Sequence, residues 1–389
     1  MDDVNARWRR PSSVAPAAPA ADPSADTERG APERRPALSA EQPAPRVPSR
    51  ARRFLGGLRS LLRDGTYGGA SLVLYLIMAV VFGYVWLANQ QVRWPWAQPN
   101  WQVQTHLMRA DGRPLDINDV AFVDGLRGWA VGDFGNIFTT SNGGQTWTRQ
   151  TSGTTERLRG IDFIDARRGW AVGSWNTVLG TEDGGRTWQL LTDQRRPFFP
   201  ASVKFIDAQR GWMAGSAGAL LRTEDGGHTW TEQRGIGSRG ISGLAVLDAD
   251  RAWIGGARGN LAYTEDGGRR WTRQFAEIQG IGAVAFADAE TGWYGGEGGR
   301  IFKTEDGGKT WREQRTPTFS GINDIVFLDR RVGWAVGAAG TVLHTTDGGA
   351  TWTSQDSGIA DNLYTLAALD RESAWAAGQK GIVIRYAVR

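Results

Sequence analysis

Five aspartates, Asp183, Asp225, Asp266, Asp306 and Asp347, recur in one setting: a Thr two residues before, two glycines directly after, and a Trp five residues on, as in "TEDGGRTW". Asn142 stands at the same place in "TSNGGQTW". A carboxylate beside glycine suggests a calcium loop, but the D-x-D-x-D-G spacing and the distal Glu are absent. The chemistry that fits is structural. Two glycines permit positive φ in a tight hairpin, the Asp carboxylate and Thr hydroxyl satisfy turn amides, and the Trp packs into a sheet. Six copies at one position predict a folding device.

Other reactive residue types are sparse. The chain has no cysteine, which excludes disulfides, thiolate metal sites and thiol nucleophiles. Its three histidines, His106, His228 and His344, fall at unrelated places, so no metal site and no cofactor is implied. Twelve arginines against seven acids lie before residue 64, so the net charge of +4 belongs to that end and the rest is close to neutral. That distribution gives no footprint for nucleic acid.

These hairpins belong to a longer repeat. A first Trp in each unit falls at Trp129, Trp170, Trp212, Trp253, Trp293, Trp334 and Trp375, at spacings of 40 to 42 residues. A second falls at Trp147, Trp188, Trp230, Trp271, Trp311 and Trp352, one short of seven. Each unit parses into four short strands separated by turn residues, for instance "GIDFI", "GWAVG", "NTVLGT" and "TWQLL" in the second. Four strands at this period predict propeller blades. The seventh unit ends without its last strand, and "NWQVQ" resembles "TWTRQ" closely enough to supply it. The expected fold is an all-β, seven-bladed propeller over 100–389, closed by an N-terminal strand at 100–105, which leaves no open edge at the seam.

The "[ST]-x-D-G-G-x-T-W" hairpins are Asp boxes, also called BNR repeats. Together with the "GWAVG" strands they make residues 100–389 similar to the photosystem II stability/assembly factor family. The resemblance implies a seven-bladed propeller on the lumenal or periplasmic side of a membrane. It also implies a non-catalytic scaffold for a membrane-protein client, photosystem II-type in a photosynthetic host. The chain departs from the family in its long Pro/Ala tail, and in Asn142 and Arg270 where the boxes carry Asp and Thr.

Strand order places the Asp boxes and the "D-x-x-R-G-W" turns on one face of the disc, and the blade connections and "GSWNT"-type turns on the other. Repeats that differ at one face and agree at the other point to the divergent face for binding. That face carries Arg157, Arg159 and Trp175, then Arg195, Arg196, Phe198 and Phe199 in a long connection. Further round come Arg234, Arg239, Arg258, Arg315 and Phe319. Arginine beside aromatics makes an interaction surface; the same residues also suit a solvated rim with Phe plugs between blades. A second arginine patch, Arg127, Arg168, Arg210 and Arg251, lies on the box face. The family resemblance makes it a candidate for partner binding, and its regular position suits pairing with Asp124, Asp165, Asp207 and Asp248.

Asp boxes also occur in sialidases, so a glycoside hydrolase and a glycan-binding module are the alternatives. A hydrolase needs an acid/base carboxylate, a nucleophile and binding arginines brought together. Asp324, Asp361, Glu156, Glu277 and Glu297 are placed to reach a central channel, yet none forms a pair in sequence.

Ahead of the repeats, residues 1–50 hold nine of the fifteen prolines and few large apolar residues, which predicts a disordered tail. A basic segment at 51–69 precedes an uncharged apolar run at 70–89, long enough for a transmembrane helix, with a linker at 90–99. Arginines concentrated before the run predict a cytoplasmic N-terminus and a periplasmic or lumenal propeller, monomeric and anchored by this helix.

Overall fold

The second strand of every unit, "GWAVG" or a variant, is buried along its whole length. A strand buried on both faces needs a sheet stacked on each side, and a ring of blades provides that. The computed structural model describes residues 101–192, 198–237 and 239–386. The expected tail, juxtamembrane segment, spanning helix and linker lie outside these residues, as do Arg195 and Arg196. Among the described residues no helix is long and apolar enough to cross a membrane.

The described residues form strands β1 to β28, numbered in chain order and gathered into seven four-stranded antiparallel sheets. The first blade runs from β2 (Ile117–Phe122) through β3 (Gly128–Gly132) and β4 (Ile137–Thr140) to β5 (Thr148–Gln150), innermost to outermost. The innermost strands of blades two to seven are β6 (Leu158–Phe163), β10 (Pro200–Phe205), β14 (Ile241–Val246), β18 (Ile281–Phe286), β22 (Ile322–Phe327) and β26 (Leu363–Ala368). In the last blade β27 (Ala374–Gly378) and β28 (Ile382–Tyr386) follow, and β1 (Trp101–His106) pairs antiparallel with β28, Trp101 opposite Tyr386. Trp101 is fully buried and its Nε1 donates to Gln355 Oε1 of the preceding blade at 2.7 Å. The expected N-terminal closure is present, displaced by one residue.

Seven hydrophobic clusters hold the ring, each built from two adjacent blades. At most seams the strand Trp stacks on a Phe from the end of the next innermost strand. Trp129 lies 3.6 Å from Phe163, Trp170 3.5 Å from Phe205, and Trp375 3.8 Å from Phe122, with planes within 8° of parallel. The indole N–H of the same Trp donates to a box glycine carbonyl across the seam, as from Trp129 to Gly184 at 2.9 Å. Those Phe rings explain the glycine before each Trp: a Cβ on Gly169 would meet Phe163 at 2.5 Å, and one on Gly211 would meet Phe205 at 2.7 Å. Where Val246 and Ala368 replace the Phe, Ala252 and Ala374 replace the glycine. Trp212 and Trp334, which face those two blades, are the strand tryptophans whose indole N–H lacks a partner. For Trp334 the reason is plain: β1 enters the seventh blade in place of an Asp box.

Candidate functional site

The Asp-box face is occupied with its own folding. In the second blade Asp183 Oδ1 accepts from Thr181 Oγ1 and from the Thr187 N–H, both at 2.9 Å, and Oδ2 accepts from Thr187 Oγ1 at 2.6 Å. The Thr187 hydroxyl, then its amide, holds this carboxyl down at about 2. Both following glycines have positive φ, Gly184 at 77° and Gly185 at 84°. Asp225, Asp306 and Asp347 repeat the amide bond to the box Thr. Asn142 reproduces the geometry without charge, since its Oδ1 accepts from the Thr146 N–H and its Nδ2 donates to Thr146 Oγ1. Asp266 Oδ1 keeps the Thr264 hydroxyl at 3.0 Å and the Arg270 N–H at 2.9 Å, and lacks the second hydroxyl because Arg270 replaces the box Thr. With these oxygens engaged the boxes offer no cation cage, and among the described residues no cluster of three His, Cys, Asp or Glu suits a metal.

The second arginine patch is tied into its turns. Arg127, Arg168 and Arg210 each donate Nε–H to the Oδ2 of Asp124, Asp165 and Asp207 at 2.7 Å, and Arg251 to Asp248 at 2.8 Å. The same aspartates cap the turn amides through Oδ1, as Asp124 does for Leu126 and Arg127. In blades five and six the guanidinium comes from the following blade: Arg330 pairs with Asp288 and Arg371 with Asp329. These are exposed pairs that shape a turn.

The opposite face differs from blade to blade. The turn between second and third strands has a left-handed tip, and the tips are Phe134, Trp175, Ala217, Arg258, Gly298, Ala339 and Lys380, with φ from 53° to 71°. Glycine adopts this conformation freely, whereas other residues carry a cost of about 1 kcal/mol. Four tips nevertheless carry a large side chain outward. Trp175 is 45% exposed and Phe134 54%, with the Arg109 guanidinium 4.2 Å above the Phe134 ring. Phe134 and Lys380 were not among the expected site residues, although "GDFGN" and "GQKGI" align with "GSWNT".

The expected residues fall into three groups on this face. Around the second blade, Trp175 and Phe199 lie 5.3 Å apart with planes at 56°, and the Ser174 amide donates to the Arg157 carbonyl at 2.9 Å. Arg157 is fixed, paired with Asp133 at 2.7 Å and donating to Asn118 Oδ1 at 2.8 Å. Arg159 beside it has no acid partner among the described residues, and burial, then the charge of Arg157, lowers its guanidinium from the ordinary value. Around the fourth blade, Arg239 donates to the Arg258 carbonyl at 2.8 Å, and Arg239 and Arg273 both stand 5.8 Å from the ring of Phe275, which is 71% exposed. Arg234, Arg239, Arg258 and Arg273 form no ion pair among the described residues, so this arc is basic. Arg273 and Phe275 come from an outermost strand and carried no sequence signal. In the connection to the sixth blade, Arg315 is exposed and Phe319 is 94% exposed.

One expected residue is misplaced. Phe198 is 9% exposed and belongs to the core between blades two and three, with Trp170, Val172 and Met213. The two neighbours part there: Phe198 plugs the seam and Phe199 packs beside Trp175.

Of the acids considered for catalysis, Asp361 pairs with Lys380 at 2.7 Å and Glu277 with Arg300 at 3.3 Å. Asp324 does reach the channel, where Asp119 also stands. Both are engaged: Asp324 accepts from the Ile325 and Leu366 amides, and Asp119 from Val120, Ile161 and Thr365 Oγ1.

The sequence profile described as photosynthesis system II assembly factor YCF48 matches residues 97–234 and 315–387, just over half of the chain. No curated protein matches. A solved structure described as YCF48 bound to D1 peptide is 26% identical, with a TM-score of 0.64 over 75% of this chain and 96% of that one. YCF48 from Cyanidioschyzon merolae is 23% identical, with a TM-score of 0.62 over 74% of this chain and 98% of that one. A GH74 xyloglucanase from Xanthomonas campestris, 17% identical with a TM-score of 0.55, shares the fold alone; the match takes in 73% of this chain and 53% of that enzyme. With its seven blades, six of them carrying the box hairpin, and this profile match, the chain belongs to the YCF48 family of photosystem II assembly factors.

Proposed function

We propose that the propeller is a non-catalytic scaffold that holds an extended segment of a membrane-protein client on the face opposite the Asp boxes, during assembly of a membrane complex. In a photosynthetic host the family points to photosystem II as that complex. The observation that carries this reading is the set of large side chains kept on left-handed turn tips, Phe134, Trp175, Arg258 and Lys380, beside Phe199 and the arginines that form no ion pair among the described residues. Side chains held outward at a conformational cost, with rigid strands beneath them, make pre-organised anchors. The relative solved with a D1 peptide supports a peptide as the ligand class. Within the same proposal, 70–89 is an anchor with the N-terminus in the cytoplasm and the propeller in the periplasm or lumen.

The test is crosslinking in the native membrane followed by purification of the full-length protein and mass spectrometry of what is retained. A single membrane complex should be enriched, and lost when Trp175 and Phe199 are both replaced by Ala in a folded protein. Equal enrichment with that variant sinks the assignment of the face. Retention on immobilised glycans in place of a membrane complex turns the proposal to the glycan-binding alternative.

A further inference from the structure

The innermost strands line the channel, and their ionisable side chains are unevenly placed. β2 contributes Asp119, β6 Arg159 and Asp162, β10 Lys204, β22 Asp324 and β26 Tyr364, whereas β14 and β18 contribute none. Adjacent blades are separate sheets, so amides on the free edge of an innermost strand have no ladder partner. The carboxylates fill that gap across the seams. Asp119 Oδ2 accepts from the Ile161 N–H at 2.9 Å, Asp162 Oδ2 from Phe205 at 2.7 Å, and Asp324 Oδ2 from Leu366 at 2.7 Å. Thr365 Oγ1 donates to Asp119 Oδ1 at 2.7 Å. Two consecutive residues of β26, Thr365 and Leu366, are therefore gripped by carboxylates from the blades on either side. The gripped strand belongs to the blade that closes the ring.

We propose that Asp119 and Asp324 form a proton-operated clamp on the closing blade, in which uptake of one proton tightens β26 in the ring and its release loosens that blade ahead of the others. Three carboxylates share one nearby ammonium, and Lys204 sits 3.4 Å from Asp162, which leaves Asp119 and Asp324 to repel each other. Arg159 acts on Arg157 and Asp133 at the end of the channel, and Tyr364 meets Asp116 at 3.4 Å, so neither neutralises the pair. A protonated Asp324 still has an oxygen to accept from Leu366, so the proton removes repulsion without removing the clamp.

Burial, then repulsion from Asp119, pushes Asp324 up to about 7, and burial raises Asp119 against the pull of Lys204. A carboxyl raised in the folded protein binds more protons there than in the unfolded chain, between about pH 4 and its folded value. Its contribution is complete below that window and is lost as pH rises through 7. His344, lowered by burial, works in the opposite direction, so variants separate the two.

The experiment is hydrogen exchange by mass spectrometry on the full-length chain from pH 6 to pH 8.5, corrected for intrinsic rate. Segments covering β14 and β18 serve as internal controls. Protection of β26 should fall about tenfold relative to the controls over this range, Asp324→Asn should abolish that relative fall, and Lys204→Met should move its midpoint to higher pH. Parallel behaviour of β26 and the controls overturns the proposal, as does a full pH dependence in folded Asp324→Asn. Should that variant not fold, an unmoved midpoint in Lys204→Met overturns it equally.

Discussion

Replacing Gly169 by Ala adds one methyl group at a seam that has no room for it. The new Cβ would lie 2.5 Å from the Phe163 ring, and that ring cannot retreat: it stacks on Trp129 at 3.6 Å and meets the edge of Trp188 at 5.9 Å. Overpacking of this kind costs about 1–3 kcal/mol, taken here as about 2. Phe163→Val empties the same space and costs about 2–3 kcal/mol in lost contacts and cavity. Together, however, the two changes recreate the pairing of blades four and seven, where Val246 faces Ala252 and Ala368 faces Ala374. The methyl then meets no ring and partly fills the cavity, so the double variant should cost no more than Phe163→Val alone. A double-mutant cycle by chemical denaturation, read by Trp fluorescence, should give a favourable coupling of about 2 kcal/mol, where independent sites add to within about 0.5 kcal/mol. Additive losses would refute the claim that the ring is the reason for the glycine.

Other outcomes follow from the same contacts. Asp225→Ala removes acceptors for Thr229 N–H and both box hydroxyls and should cost about 1–3 kcal/mol, whereas Asp225→Asn should cost much less, since Asn142 serves in the first box; thermal melts compare them. Burial opposes and the Thr229 hydroxyl and amide outweigh it, so the Asp225 carboxyl sits below its ordinary value. The stability it confers is full above about pH 4 and is lost in stronger acid, which melts at pH 3 and pH 5 will show. Arg127→Ala breaks an exposed pair and should change stability by less than about 1 kcal/mol in the same assay. Trp175→Ala with Phe199→Ala should weaken client binding at least about tenfold with the melting temperature almost unchanged, whereas Phe198→Ala should cost about 3 kcal/mol of stability.

The ring was legible because its information is local and repeated. Each unit carries its own strand Trp and turn Asp, and six carry the glycine pair, so the copies report the same hairpins, and the missing box together with "NWQVQ" discloses the closure. Arg127 and its equivalents were readable for the same reason, lying three residues from their aspartates. The binding face was less legible because it is where the units depart from the pattern. Phe198 and Phe199 are identical in type and adjacent, and only the path of the connection between blades decides which is core. Arg157 finds Asp133 across a seam, and Asp119 meets Asp324 only after the ring has closed. Arg157 and Asp133 hold different places in the repeat, and Asp119 and Asp324, which hold the same place in β2 and β22, act on each other only across the ring.

The closing blade also bears on force. β1 begins at Trp101, on the Asp-box side, and runs toward the opposite face along β28. A pull that arrives through the chain before Trp101, while a partner holds the far face, acts along the strand axis. It then loads the β1–β28 hydrogen bonds in shear, all together, with Trp101 locked behind Gln355 as the first bolt to give. Peeling β1 sideways from the blade would open the same bonds one at a time. The strand that completes the ring is therefore oriented to withstand tension along the chain that leads into it far better than tension across it.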